Sequence, residues 1–237
     1  MQDESLDRPS IASLSIEILL VVFAGTLGFL GSQQILGGSL PAKIASIWIA
    51  NLLMLLCIYG SLVRRKHSWQ DLGLNHQQLL PVHKLIGKSL VVFLAAMGAF
   101  VAGAIVAANL VGIPEPADMS KYDYLQGNIG LTVLALCSVY LVSSFAEEVI
   151  YRGYLLSRLL EVAGASKLGK AFALFTSSAV FGAVHSDWGI AGMIQATCMG
   201  LALGAAFMLL RRKLWILILA HAYMDTILIV QMYFGGS

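Results

Sequence analysis

Charge is what this chain is short of. Only 12% of its 237 residues are charged and 58% are hydrophobic, with a mean hydropathy of +0.81. A soluble domain carries about 25% charged residues, so most of this surface does not face water. Cysteine is nearly absent as well. Cys57, Cys137 and Cys198 stand alone inside apolar segments with no CxxC pair, which excludes a disulfide framework and a cysteine-rich metal site and reads as packed thiols. No stretch is rich enough in Pro, Ser or Gly to act as a linker, so residues 1–237 read as a single membrane domain. HExxH and GxSxG do not occur, which argues against a zincin-like metalloprotease and a serine hydrolase elbow. A cleavable signal peptide is not expected either: the first 13 residues are polar, with Asp3, Glu4 and Asp7, and the apolar run after them exceeds a signal core.

What is present is a series of long apolar runs. Hydropathy predicts an all-α, polytopic membrane helix bundle of about seven transmembrane helices, at Leu14–Leu36, Pro41–Val63, Leu85–Val111, Ile129–Leu160, Ala171–His185, Ile190–Leu210 and Leu214–Phe234. The fourth run is too long for a simple span and is expected to continue into, or break before, an amphipathic helix; the fifth is short. With an odd number of spans and the N-terminus in the cytoplasm, every Lys and Arg except Lys43 and Lys121 falls on the cytoplasmic side, Arg8 included. That asymmetry predicts an integral multi-pass protein with the N-terminus cytoplasmic and the C-terminus outside. The formal net charge of +2 therefore marks a membrane face and no nucleic-acid partner; the expected surroundings are membrane lipids. Residues 64–84 read as an interfacial cytoplasmic connection, and residues 112–128, which contain Tyr122-Asp123, as the longest outer loop. Gly200 and Gly204 form GxxxG, and Gly98 with Ala102 and Ala99 with Gly103 repeat the small-residue spacing in the third run; all are read as packing within the bundle.

Against this background the ionisable residues inside the runs stand out, because a carboxylate at mid-membrane costs roughly 2.5–3.5 kcal/mol. Glu147 and Glu148 are adjacent. Glu148 and Arg152 are four apart on one helical face and can pair, whereas Glu147 points about 100° away with no partner in its own turn. A carboxylate buried without a partner is the kind that exchanges protons near neutral pH. The expected division is Glu148–Arg152 as scaffold and Glu147 as the reactive group. Phe181 and His185 share a face on the fifth run, with Asp187 and Trp188 in the turn that follows. On the last run His221 and Asp225 are four apart. Either both face one cavity, or Asp225 orients the His221 ring through a hydrogen bond.

Three ordered clusters resemble one family. EExxxR appears as Glu147-Glu148-Val149-Ile150-Tyr151-Arg152, FxxxH as Phe181-Gly182-Ala183-Val184-His185, and HxxxN/D as His221-Ala222-Tyr223-Met224-Asp225. Together they are similar to the CPBP family (CAAX proteases and bacteriocin-processing enzymes, also called Abi proteins), relatives of the type II CAAX prenyl endopeptidase, over about residues 130–230. The Trp69–Leu74 stretch resembles the family less specifically. The resemblance implies an intramembrane endopeptidase in which Glu147 and His185 activate a water while His221 and Asp225 line the opposite wall. Where the eukaryotic enzymes carry Asn this chain has Asp225, and an ionised Asp cannot donate a hydrogen bond to an oxyanion. Asp225 is then protonated, an orienter of His221, or part of a metal site. A divalent ion such as zinc at Glu147, His185 and His221 stays open, although the preferred mechanism requires none. The implied substrate is a membrane-associated peptide or membrane-protein tail. Two rival roles stand beside this one: a non-catalytic scaffold or bacteriocin-immunity protein of the same fold, and a proton-linked transporter. The absence of internal repeats disfavours the transporter, and the oligomeric state is left open.

One geometric condition attaches to all of it. Glu147 lies 18 residues past Ile129, about 27 Å along a helix; His221 is 7 past Leu214, about 10 Å from the cytoplasmic end; His185 is 14 past Ala171, about 21 Å from that end. For His185 to reach Glu147, the fifth helix must start below the surface, tilt strongly, or be shorter than drawn.

Overall fold

The computed structural model describes residues 10–75, 80–113 and 120–235. Arg8, Leu79 in the predicted interfacial connection, and residues 114–119 of the predicted outer loop lie outside them. Among the described residues the architecture is all-helical: α1 (Ile11–Leu36), α2 (Leu40–Arg64), α3 (Val82–Val111), α4 (Ile129–Val139), a π-helical segment (Tyr140–Leu156), α5 (Ser157–Ala163), α6 (Lys167–Ala183), α7 (Gly189–Leu209) and α8 (Leu214–Phe234), with short 3₁₀ turns between some of them. Among the described residues six helices are long and apolar enough to cross a membrane. The seventh expected span, α6, has 17 residues, at the short limit of about 17–25.

Local chemistry sets the helix ends. Ser10, Ser39, Asn128 and Ser166 each accept a hydrogen bond from a backbone N–H in the first turn of the helix that follows, satisfying one of its orphan donors. Outward faces of α1, α2 and α3 are lined with exposed aliphatic residues such as Leu19, Leu52 and Leu94, as lipid-facing surfaces should be. Small residues let the helices approach closely. A side chain at Gly200 or Gly204 would run into Ser178 or Leu174 of α6, and one at Gly103 into Gln195 and Cys198 of α7, while Gly98 faces open space. The small-residue pairs of α7 therefore seat α6 within the chain, as expected, and in α3 only the Gly103 face takes part.

Of the two outcomes expected for the fourth apolar run, the structure shows continuation. No break follows the fourth apolar run. Residues Ile129–Ala163 form one continuous helical rod, and every residue from Glu148 to Leu159 is buried in it. It does not become an interfacial amphipathic helix, because its charges are matched internally: Arg152 pairs with Glu148 and Arg158 with Glu161. The connection after α2, expected in the interface, is exposed or half-buried over most of its described residues and anchored at Leu72. Its Trp69–Leu72 turn, capped by Asp71 on the Ser68 N–H at 2.7 Å, inserts the buried Leu72 into the main core, and the Leu214 N–H donates to Gly73 O at 3.2 Å.

Contacts between distant elements sort the molecule into two ends. At one, Glu17 is held by Arg64, Arg65 and Ser61, Arg158 meets His67, and the Arg211–Lys213 turn lies against Gly73. At the other, Lys43 pairs with Asp187 at 2.6 Å, Asp187 acts electrostatically on Tyr122, and the Gly127 N–H donates to Tyr233 O. Arg64, Arg65, Arg158 and Arg212 thus share one end, and Lys43 lies at the other.

Candidate active site

The π segment carries the centre of the polar cluster. Its i→i+5 bonding gives more than four residues per turn, so residues four apart stack almost in line. Ser143 stands over Glu147 and Ser144 over Glu148, which in turn stands over Arg152. Runs this long are unusual, since π-helix normally appears as single turns at functional sites.

Glu148 is fully buried and accepts from two donors at one oxygen: Arg152 Nη1 at 2.8 Å and His221 Nδ1 at 2.9 Å. Arg152, also buried, lies over the Phe181 ring at 4.1 Å. The expected Glu148–Arg152 pair is therefore present, and it does more than hold the scaffold: it fixes the His221 ring. Because the Glu148 carboxylate can only accept, Nδ1 carries a proton, and when the ring is neutral its lone pair is at Nε2. The expectation that Asp225 might orient His221 directly is corrected. Asp225 Oδ2 accepts from Ser144 Oγ at 2.7 Å and Oδ1 from Ser143 Oγ at 3.4 Å, and Ser143 Oγ lies 3.3 Å from His221 Nε2.

Glu147 is set apart from this network. Its Oε2 is shut off from solvent and has no hydrogen-bond partner, and His221, Asp225, Arg152 and Glu148 are the charged groups that act on it. His185 arrives from the end of α6. Its Nδ1 donates to Phe181 O at 2.8 Å, which leaves Nε2 as an acceptor. Phe181 and Trp188 flank the imidazole at 4.7 Å each, and the Phe181 ring also meets His221 at 6.4 Å.

The hairpin of α5 and α6 bears on the depth condition. Glu147 lies 16 residues before Ala163 at the end of α5, and His185 lies 18 after Lys167 at the start of α6. His221 and Arg152 act electrostatically on both Glu147 and His185, so the two residues share charged neighbours without a hydrogen bond between them among the described residues. His221 of α8 needs no such count, since its Nδ1 donates directly to Glu148 at 2.9 Å.

The metal expectation fares differently. Among the described residues no group of three or more His, Cys, Asp or Glu is gathered to hold a metal ion. His221 shows why. Its Nδ1 faces a carboxylate already neutralised by Arg152, and its Nε2 faces Ser143. The donors Glu147, His185 and His221 do not fit a zinc ion. Two residues of the cluster escaped sequence reasoning altogether, Ser143 and Ser144. Their only signal was a pair of hydroxyls four residues ahead of a pair of carboxylates.

This Glu, His and Arg arrangement lies in the segment that comparison with known families picks out. Residues 129–227 match the family model for type II CAAX prenyl endopeptidase Rce1-like proteins. The match agrees with the CPBP resemblance read from the three motifs and covers all of them. No curated protein and no solved structure matches the chain. The Rce1-like segment begins at the first residue of α4 and ends within α8, so every side chain of the cluster belongs to it, while α1, α2 and α3 lie outside.

Proposed function

We propose that this chain is an intramembrane endopeptidase that hydrolyses peptide bonds of membrane-associated proteins or peptides. The single observation that carries the reading is the contrast between the two adjacent glutamates: Glu148 is saturated by Arg152 and His221, and Glu147 keeps a buried oxygen with no partner. A buried acid left unpaired inside an apolar bundle is costly and, by default, functional. The Rce1-like match of residues 129–227 supports the same class of reaction.

In the proposed mechanism, ionised Glu147 and His185 Nε2 are two acceptors for one water, so both water hydrogens are occupied and a lone pair is left to attack the scissile carbonyl carbon. Glu147 takes the proton as the C–O bond forms. It returns that proton to the amide nitrogen as the C–N bond breaks. His221, held by Glu148 on one side and the Ser143–Asp225 pair on the other, supplies positive charge beside the developing oxyanion. Phe181 and Trp188 fix the His185 ring between them. The basic end of the bundle faces the cytoplasm in this reading, the whole chain is one membrane domain, and the cleaved bond lies within the membrane.

General-base catalysis contributes about 10²–10⁴-fold, so Glu147→Gln lowers cleavage of a fluorogenic membrane peptide in proteoliposomes by that range while purification yield and thermal unfolding stay as in the parent. Cleavage at the parental rate by Glu147→Gln removes Glu147 from the reaction. The rival role is a non-catalytic scaffold or immunity protein of the same fold. That role predicts that a cellular phenotype survives the joint loss of Glu147 and His185.

A further inference from the structure

Asp225 is the position at which this chain departs from the Asn of the eukaryotic enzymes, and the structure shows what accompanies the change. Both Asp225 oxygens accept from hydroxyls, Ser144 Oγ at 2.7 Å and Ser143 Oγ at 3.4 Å, and the second hydroxyl stands at nearly the same distance, 3.3 Å, from His221 Nε2. A serine hydroxyl has one proton and two lone pairs. Ser143 therefore serves one acceptor at a time, and it lies between two.

We infer that Ser143 is a positioning residue that couples Asp225 to His221, with Ser144 holding the carboxylate in place. With His221 neutral, its Nδ1–H donates to Glu148, and Nε2 competes with Asp225 for the Ser143 proton. With His221 protonated, Nε2–H donates to Ser143 Oγ, and the Ser143 proton turns to Asp225 Oδ1. The imidazolium is then compensated at both nitrogens, by Glu148 directly and by Asp225 through one hydroxyl. No bond other than hydrogen bonds changes, so the relay needs no co-reactant. The other charged or titratable groups that act on these partners are Glu147 and Arg152 from the π segment and His185 from the end of α6. The inference rests on the proposed peptidase reading, since it assigns Ser143 a part in that reaction.

The test is a double-mutant cycle on the full-length protein in proteoliposomes, read as kcat, KM and the pH profile of kcat. Ser143→Ala is expected to lower kcat about tenfold, as the loss of a hydrogen bond to a charged group would, with KM unchanged and the pH profile displaced. Ser143→Thr, which keeps the hydroxyl, is expected to restore most of kcat. Because the two residues act as one unit, Ser143→Ala/Asp225→Asn is expected to be no slower than Asp225→Asn alone. Multiplicative losses in the double variant, or a Ser143→Ala pH profile that superimposes on the parent, would overturn the coupling. An unfolding midpoint shared by Ser143→Thr and the parent shows that the site tolerates substitution. The peptidase reading fails separately, through an active Glu147→Gln, and stands if only the Ser143 cycle is additive.

Discussion

Adjacent glutamates with the same intrinsic chemistry take different roles here because their neighbours differ. Glu148 Oε1 is shared between a guanidinium and an imidazole, whereas Glu147 Oε2 has no partner. Stability and activity should therefore separate between them. Removing one member of a buried ion pair leaves the other uncompensated and costs about 3–5 kcal/mol. Glu148→Ala strands Arg152 under the Phe181 ring and frees the His221 tautomer, so it is expected to lower the unfolding midpoint in detergent sharply, together with activity. Glu147→Gln is expected to leave that midpoint in place, since the parent oxygen has no partner to lose. Equal thermal midpoints for the two variants, measured in the same detergent, would contradict this division of labour.

Elements bring the acid and imidazole groups together by means that hydropathy reads well and others that it cannot. Apolar runs located α1, α2, α3, α7 and α8 to within a few residues, because a membrane helix must be apolar over its full length, and α1 and α2 also begin at capping serines. Glu148–Arg152 was legible for a similar reason: an i,i+4 pair of opposite charge has one economical use in an apolar helix. The run Ile129–Leu160 located the rod Ile129–Ala163, but the burial of its charged last third was not legible, because a run of charges looks the same whether solvent or other side chains satisfy it. The π geometry also left no mark in the residue types, and neither did the roles of Ser143 and Ser144, since hydroxyls are cheap to bury and fit many patterns. The start of α6 at Lys167, four residues ahead of the apolar run, was hidden by two lysines that the Ser166 cap folds into the first turn.

That short helix carries His185, and its seat on α7 makes a test at this scale. A side chain at Gly182 would meet Met193 O at 2.6 Å and the Thr197 side chain, so Gly182→Leu forces α6 and α7 apart. Overpacking of this kind costs about 1–3 kcal/mol, and a displacement of about 1 Å in a catalytic group can cost 10²-fold in rate. The expected outcome is a modest fall in the unfolding midpoint with a disproportionate loss of kcat. Retained activity would show that the α6–α7 contact does not set the position of His185.

At the scale of the whole molecule, α6 decides the parity of the fold. The six helices that qualify by length and hydropathy would by themselves return the C-terminus to the side on which α1 begins. Helix α6 would add a seventh traverse: it leaves the hairpin beside α5, near Arg158, and its last turn leads to Asp187, which pairs with Lys43. The start of α1, through Glu17, belongs to the arginine-rich end, whereas Tyr233 near the end of α8 pairs with Gly127 at the opposite one. Lys43 and Arg212 should therefore lie on opposite sides of the membrane, with Arg212 cytoplasmic because basic turns are retained there. In a background lacking Cys57, Cys137 and Cys198, a membrane-impermeant maleimide applied to sealed right-side-out vesicles is expected to label Lys43→Cys and to spare Arg212→Cys until the membrane is permeabilised. Labelling of both from one side would make α6 a re-entrant element and remove the seven-helix reading. The reverse pattern would keep the seven crossings and invert the orientation, turning the arginine-rich end outward.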